Sequence, residues 1–285
     1  IGYARYEEIT VSAGGGFSLV EDSLGMTISG QYRDQGEGYI KNRATGKKRG
    51  VRDVLTLRGK VSYFGSDNFK STLTASYSDD DNDGLTPVSV NSNTLQISSG
   101  EYRTAQSPGP SSGYTEQFST SLDMEWDIGG LSLKSTTAYI DVKDGFRFDL
   151  SGGVETAPGT FTTLIDRTSV ASSSQWSQEI QLSGSSMDDN LDWVVGAFYF
   201  DEKADQQIDD VIFFTTLVPT IIDQKSESYA IFAQGTYKIN DSLSATAGLR
   251  WTDDQKSLSG QIDTFFGSGI PFAVNREDSW SVLTP

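Results

Sequence analysis

Six basic residues crowd one short stretch of an acidic chain: Lys41, Arg43, Lys47, Lys48, Arg49 and Arg52. The whole sequence has 22 Lys+Arg against 39 Asp+Glu, a formal net charge of −17, so this stretch runs against its surroundings. Converging cations raise the local concentration of anions. The chemistry on offer is therefore capture of an anionic ligand or of surface phosphates, with a merely solvated loop as the plain alternative. A second stretch, "DDDNDG" at 79–84, sets Asp79, Asp81, Asp83 and Gly84 in the register of a calcium loop. Val90 stands where that loop needs its bidentate glutamate, so a polar strand end is the simpler reading. Asp123 and Glu125 lie two residues apart, about 7 Å along a strand, a separation compatible with glycoside hydrolysis. Acidic residues lining a polar lumen would be spaced the same way.

The residues that are missing restrict the chemistry further. Histidine and cysteine are absent, which removes Ser-His-Asp hydrolysis, histidine-ligated zinc, thiolate sites and disulfides. The acidic balance opposes contacts to a phosphate backbone, so nucleic acid is not an expected partner. "AGGGF" at 13–17 lacks the spacing of a nucleotide loop, and Asn240-Asp241-Ser242 is a sequon in an expected turn. The expectation is a protein that is not an enzyme and carries no cofactor.

The elements that must position these residues are strands. Within 116–128, Phe118, Thr120, Leu122, Met124, Trp126 and Ile128 share one parity, and Gln117, Ser119, Ser121, Asp123, Glu125 and Asp127 the other. Alternation of this kind marks a strand with two unlike faces. It recurs over 24–33, 54–63, 69–78, 228–239 and 243–252, with Phe232 interrupting one polar face, and more noisily over 8–19, 131–142, 175–183 and 191–201. No stretch reads as a helix. Turn-forming connections at 20–23, 65–68, 127–130, 184–190 and 240–242 alternate with long polar ones at about 35–52, 80–115, 144–174, 203–226 and 254–278. Short turns at one end and long loops at the other describe an up-and-down meander of the outer-membrane kind.

Aromatic residues on the apolar parity reinforce that reading. Tyr63, Trp126, Trp193 and Tyr237 lie near the short turns, whereas Tyr32, Tyr77, Tyr139, Trp176, Tyr199, Tyr229 and Trp251 lie beside the long loops. Amphipathic rings favour the headgroup level, so two belts bracket a hydrocarbon band. A soluble β-sandwich would show the same alternation without the belts.

With these blocks in view, the sequence resembles the TonB-dependent outer-membrane receptors. The resemblance is carried by 19–84, "EWDIGGLSLKSTTAYID" (125–141), "QWSQEIQLSG" (175–184), "LDWVVGAFYFDE" (191–202) and "YAIFAQGTYKINDSLSATAGLRWTDDQKSLSG" (229–260). It implies an all-β, antiparallel transmembrane barrel of 22 strands around a plug, importing ferric siderophores or other scarce nutrients. It also implies energy from an inner-membrane complex acting through TonB on a box near the receptor's N-terminus. Residues 1–285 read as one partial barrel domain of about twelve strands, the first cut to 1–4, without plug, box or terminal strand. The expected location is the outer membrane of a Gram-negative bacterium, in contact with its lipid and lipopolysaccharide. A passive porin and a soluble β-rich adhesin are the competing readings.

Overall fold

The computed structural model describes residues 1–88, 101, 103–262 and 272–285. In chain order the strands are β1 (Gly2–Ala4), β2 (Glu8–Val20), β3 (Leu24–Gln35), β4 (Ile40–Asn42), β5 (Lys48–Arg49), β6 (Arg52–Ser66), β7 (Phe69–Asn82), β8 (Thr104–Ala105) and β9 (Ser112–Ile128). They continue with β10 (Leu131–Asp149), β11 (Val154–Ala157), β12 (Thr160–Thr162), β13 (Ile165–Ser186), β14 (Leu191–Ile212), β15 (Thr216–Asn240), β16 (Leu243–Ile262) and β17 (Phe272–Thr284). Twelve of them form one antiparallel sheet in the order β1-β2-β3-β6-β7-β9-β10-β13-β14-β15-β16-β17. Every neighbour in that sheet is the next long strand in sequence, which is an up-and-down meander. Among the described residues β1 and β17 do not pair with each other, so the sheet is open.

Register carries the two-faced pattern across the whole sheet. Tyr32 pairs with Leu55, Leu57 with Tyr77, Tyr77 with Phe118, Tyr139 with Trp176, Tyr199 with Tyr229 and Ile231 with Trp251. Paired residues share a face, and a slip of one residue would turn that strand's apolar set to the other side. The apolar parities therefore join into one continuous surface. Among the described residues no second large sheet covers it: Leu73, Ile180, Ile231 and Leu249 are all exposed, and buried hydrophobic residues are few. A sandwich would bury this face against a partner sheet. A contiguous apolar surface of this extent marks contact with lipid or another protein.

The short connections form where expected. Gly129 and Gly130, at φ 59° and 91°, make the β9–β10 turn, and such values suit the tight turns that match strand twist. The amide of Ser242 donates to Asn240 Oδ1 at 3.0 Å, turning the chain between β15 and β16. Phe232, the exception on the polar face, lies across Gly196, where a Cβ would collide with its ring. The Arg250 guanidinium sits 5.9 Å from the centre of Phe198 and 5.7 Å from that of Phe232.

The long connections depart from expectation. Much of 144–174, 203–226 and 254–278 is strand: β10 pairs with β13 up to Asp149↔Asp166, and β14 with β15 up to Ile212↔Thr216. β13 and β14 have 22 residues each and β15 has 25, whereas about 9–11 suffice to cross a bilayer. The reason is physical. Past the outer aromatic row both faces meet water, so the apolar alternation fades while backbone pairing continues. Residues 89–100 and 102 of the expected 80–115 loop, and 263–271 of the expected 254–278 loop, lie outside the described residues.

Candidate functional site

On the apolar face the aromatic residues line up across strands. Trp176 and Tyr199 have ring centres 5.4 Å apart and Tyr199 and Tyr229 4.8 Å, with Tyr139 paired to Trp176 at one end and Trp251 beside Ile231 at the other. Tyr32 and Tyr77 occupy the same face nearer the chain's start. At the short-turn end, Tyr63 and Phe69 are 6.0 Å apart, Phe69 pairs with Trp126, and Trp193 and Tyr237 follow on β14 and β15. Two residues beyond the outer row the same face turns acidic. The hydroxyls of Tyr77, Tyr139 and Tyr199 donate to Glu116, Asp141 and Glu227 at 3.3, 3.4 and 3.3 Å. Each ring thus keeps its body in the apolar band and its polar tip in the acidic row, as an interfacial residue requires.

In that row Asp34, Asp53 and Asp81 are consecutive register partners. Asp53, beyond Tyr32 and outside the apolar band, is pushed up to about 6 by hydrogen bonding with the Asp34 side chain, then by partial burial and by the charges of Asp34 and Asp81. An acid whose folded pKa is raised binds more protons folded than unfolded, so stability falls as pH rises from about 4 through about 6 and is level above. Asp53→Asn in the full-length protein is therefore expected to raise the unfolding midpoint at pH 7.5 and leave it unchanged at pH 4. Denaturant titrations at the two values check this, and equal shifts at both would refute it.

At the far ends of the long strands, the connections pack into a layer. β4, β5 and β8 form a three-stranded sheet and β11–β12 a hairpin. Its centre is Asp149, 1% exposed. Asp149 Oδ2 accepts from Ser107 Oγ at 2.8 Å and Thr163 Oγ1 at 3.2 Å, and Oδ1 accepts from the Ser151 amide at 3.0 Å and from its hydroxyl. Asn42 Nδ2 donates to the Ser107 carbonyl at 2.7 Å and Gln106 Nε2 to the Gly153 carbonyl at 2.9 Å. Three connections far apart in sequence are thereby tied together. Nothing in the sequence pattern marked Asn42, Ser107 or Asp149, because short polar residues in a loop read as solvated turn formers.

The structure separates the six basic residues. Lys41 lies on β4 and Arg43 just after it, with the guanidinium 5.7 Å from the Phe161 ring centre. Lys48 is ion-paired with Glu37, and an Arg49 NH donates to the Gly109 carbonyl at 2.8 Å. Lys41, Lys47 and Arg49 have no carboxylate within ion-pairing distance among the described residues. Arg52 stands apart, on the polar face of β6, where it grips Asp80 with Nε at 3.0 and 2.9 Å from the two oxygens. Five of the six thus belong to the loop layer and one to the wall.

The other acidic candidates are distributed differently. Asp79 to Asn82 continue β7, so Asp79 and Asp81 are strung along one face of an extended strand, with Asp80 on the other, and do not wrap around one point as a calcium loop requires. Asp83 Oδ2 accepts the amides of Gly50 and Val51 at 2.7 and 3.1 Å, and Val90 lies outside the described residues. Asp123 and Glu125 share the polar face, but Asp123 accepts from Thr136 Oγ1 at 2.9 Å and Glu125 faces Lys134 at 3.7 Å.

Two clefts open in the layer. One of about 380 Å³ is lined by Pro108, Pro110, Phe161, Val211 and Phe214 among others, and one of about 480 Å³ by Lys47, Lys48, Arg49 and the same 108–110 segment. Phe214 lies in a turn closed by the Thr215 amide on the Ile212 carbonyl at 3.2 Å, with Phe213 and Phe214 at φ 50° and 63°. Left-handed backbone costs a bulky residue roughly 1–2 kcal/mol. Two adjacent phenylalanines in a polar connection were the only sequence signal for this turn.

The fold agrees with the comparisons to known proteins. The model of the TonB dependent receptor-like β-barrel matches residues 8–285, and the chain belongs to that family. No curated protein matches it in sequence. Among solved structures it is similar to the ferric yersiniabactin uptake receptor FyuA from Yersinia pestis, with a TM-score of 0.77 at 12% identity over 98% of this chain and 41% of that one. The siderophore receptor PiuA from Acinetobacter baumannii gives 0.71 at 12% identity, covering 99% and 45%. The ferric-catecholate import receptor Fiu from E. coli K12, in its open form, gives 0.65 at 12% identity, covering 99% and 51%. The chain spans about two fifths to one half of these receptors' length. At such identities the likeness is one of fold.

Proposed function

We propose that this chain forms part of the barrel wall and the outer loop layer of a receptor in the outer membrane of a Gram-negative bacterium, one that imports a ferric siderophore with energy delivered through TonB. The observation that carries the reading is the pairing of an uncovered apolar band, bounded by two aromatic rows, with a cation-bearing, cleft-forming layer at its long-strand end. The band suits lipid and the acidic row the headgroup level. The layer offers an anionic ferric complex a cationic landing site at the mouth. The reading makes the protein a transporter and not an enzyme, with the siderophore and TonB's inner-membrane complex as partners. A passive porin of the same wall would need neither clefts nor an energy source.

The test is deletion of the full-length gene followed by uptake of radiolabelled iron supplied as siderophore complexes. Uptake lost on deletion, and lost again when the proton gradient is collapsed in the parent, is the expected result. Unchanged uptake would overturn the siderophore assignment, and uptake indifferent to the gradient would favour the porin.

A further inference from the structure

The polar face of the sheet carries a second set of cations, away from the loop layer. On β6 and β7 it presents Arg58, Lys60 and Lys70, all exposed and none with a hydrogen-bond or ion-pair partner among the described residues. Their cross-strand neighbours are mostly hydroxyls: Ser29 and Ser76 flank Arg58, and Thr27 and Thr74 flank Lys60. Lys70 stands opposite Glu125, whose carboxylate lies 3.7 Å from Lys134. From Asp80 towards the short turns, β2, β3, β6 and β7 bring no carboxylate to this face. In a chain of net charge −17 that strip runs against the composition.

The shape of the wall supplies an independent observation. Beside Lys60 the polar face recedes into a cleft of about 300 Å³, lined by Gly16, Gly25, Thr27, Lys60, Ser62 and Phe64 among others. A Cβ on Gly16 would come within 3.3 Å of Thr27 Cγ2, so glycine keeps this recess open. The Phe64 ring lies 3.5 Å from where Gly25 would carry a Cβ and bounds the recess towards the short turns. Arg58 stands just above it, two residues from Lys60 on the same strand face, or about 7 Å. Lys70 lies four residues beyond Thr74, the partner of Lys60, or about 13 Å nearer the short turns.

We infer that this strip is a transit track for an anionic iron chelate inside the barrel: Arg58 and the Lys60 recess take up its charge after it leaves the outer layer, and Lys70 takes it up next. Like charges held close without a counter-charge repel one another, and a concave wall of one sign concentrates the opposite ion. Basic side chains select anions in pores, and passage needs several sites that bind weakly enough to let go. Spaced cations set among hydroxyls, with no carboxylate to hold them, meet that requirement. The inference rests on the ferric-siderophore reading and adds to it the route inward.

Surface binding and uptake of radiolabelled iron, measured in cells making the full-length receptor, test the track with three probes: ferric tris-catecholate and ferric dicitrate, both anionic, and a neutral ferric trihydroxamate. For whichever anionic chelate the parent imports, Arg58→Gln combined with Lys60→Gln is expected to cut the maximal uptake rate per surface receptor about tenfold. Affinity at the surface should stay within about twofold, because the outer layer is untouched. Arg58→Lys combined with Lys60→Arg keeps both charges and should import at the parent's rate. Unchanged uptake in the glutamine variant, or an equal loss in the charge-keeping one, would overturn the track while the siderophore reading stands. So would import of the trihydroxamate alone by the parent. A leak of all three chelates through the glutamine variant without the proton gradient would assign the cations to holding another part of the receptor in place, and would also overturn the track. Import of none of the three by the parent would overturn both readings.

Discussion

Ile180→Arg should destabilise the full-length protein in a bilayer by about 2–4 kcal/mol, while Gln117→Arg stays within about 0.5 kcal/mol. Both positions are exposed and both lie on long strands. They differ in face and in depth, Gln117 standing level with the outer aromatic row. Ile180 pairs with Ser135 and Ala197 in the middle of the apolar band, between Trp176 on its own strand and Trp193 on the next. Gln117 pairs with Val142 and Ser78 on the polar face. A guanidinium in hydrocarbon loses its hydration with no counter-charge to replace it, and at mid-depth snorkelling reaches the interface poorly. The same group over a polar lumen keeps its water. Urea titrations of the folded protein in lipid, read by tryptophan fluorescence, measure both. Were the sheet a soluble one with an uncovered face, Ile180→Arg would cost as little as Gln117→Arg and would improve solubility, so equal values would remove the membrane from the account.

That contrast also explains how much of the molecule could be read in its sequence. Between the aromatic rows one face meets an apolar environment and the other a wet one, so Leu122, Met124 and Trp126 alternate with Ser121, Asp123 and Glu125, and both strand and register follow. The twelve-strand count follows from the same signal, because the short turns bear Gly129-Gly130 and Asn240-Asp241 where the chain must reverse. Beyond the outer row the signal disappears. Asp205, Gln206, Gln207 and Asp209 of β14 are polar on both faces, and only the backbone pairing of Ile208 with Thr220 and its neighbours shows that the strand goes on. The basic stretch was visible as composition, but its division was not. Whether Arg52 reaches Asp80 or the loop layer depends on a residue 28 positions away. The clefts depend on still longer contacts, such as Arg49 on Gly109, which are 60 residues apart.

Asp149→Ala is expected to open the loop layer and leave the strands beneath it intact. The carboxylate is the shared acceptor for Ser107, Thr163 and Ser151, and its removal strands those donors in a place that water reaches poorly. Hydrogen bonds to a charged acceptor contribute about 1.5–3 kcal/mol each, and buried donors left unpaired add their own penalty. A loss of roughly 3 kcal/mol or more is therefore expected, confined to the layer, because the bonds that are lost all run from Asp149 to residues of the connections. The sheet, held by unbroken pairing from β2 to β16, has no such dependence. Hydrogen exchange on the full-length protein distinguishes the two regions: amides of 104–110 and 150–164 should exchange far faster in the variant, while those of 118–140 and 175–200 keep their protection. Asp149→Asn retains one acceptor oxygen and should fall between. If exchange accelerated equally in strands and loops, the layer would be part of one cooperative unit with the wall. If it accelerated in neither, Asp149 would not be the tie that its four bonds indicate.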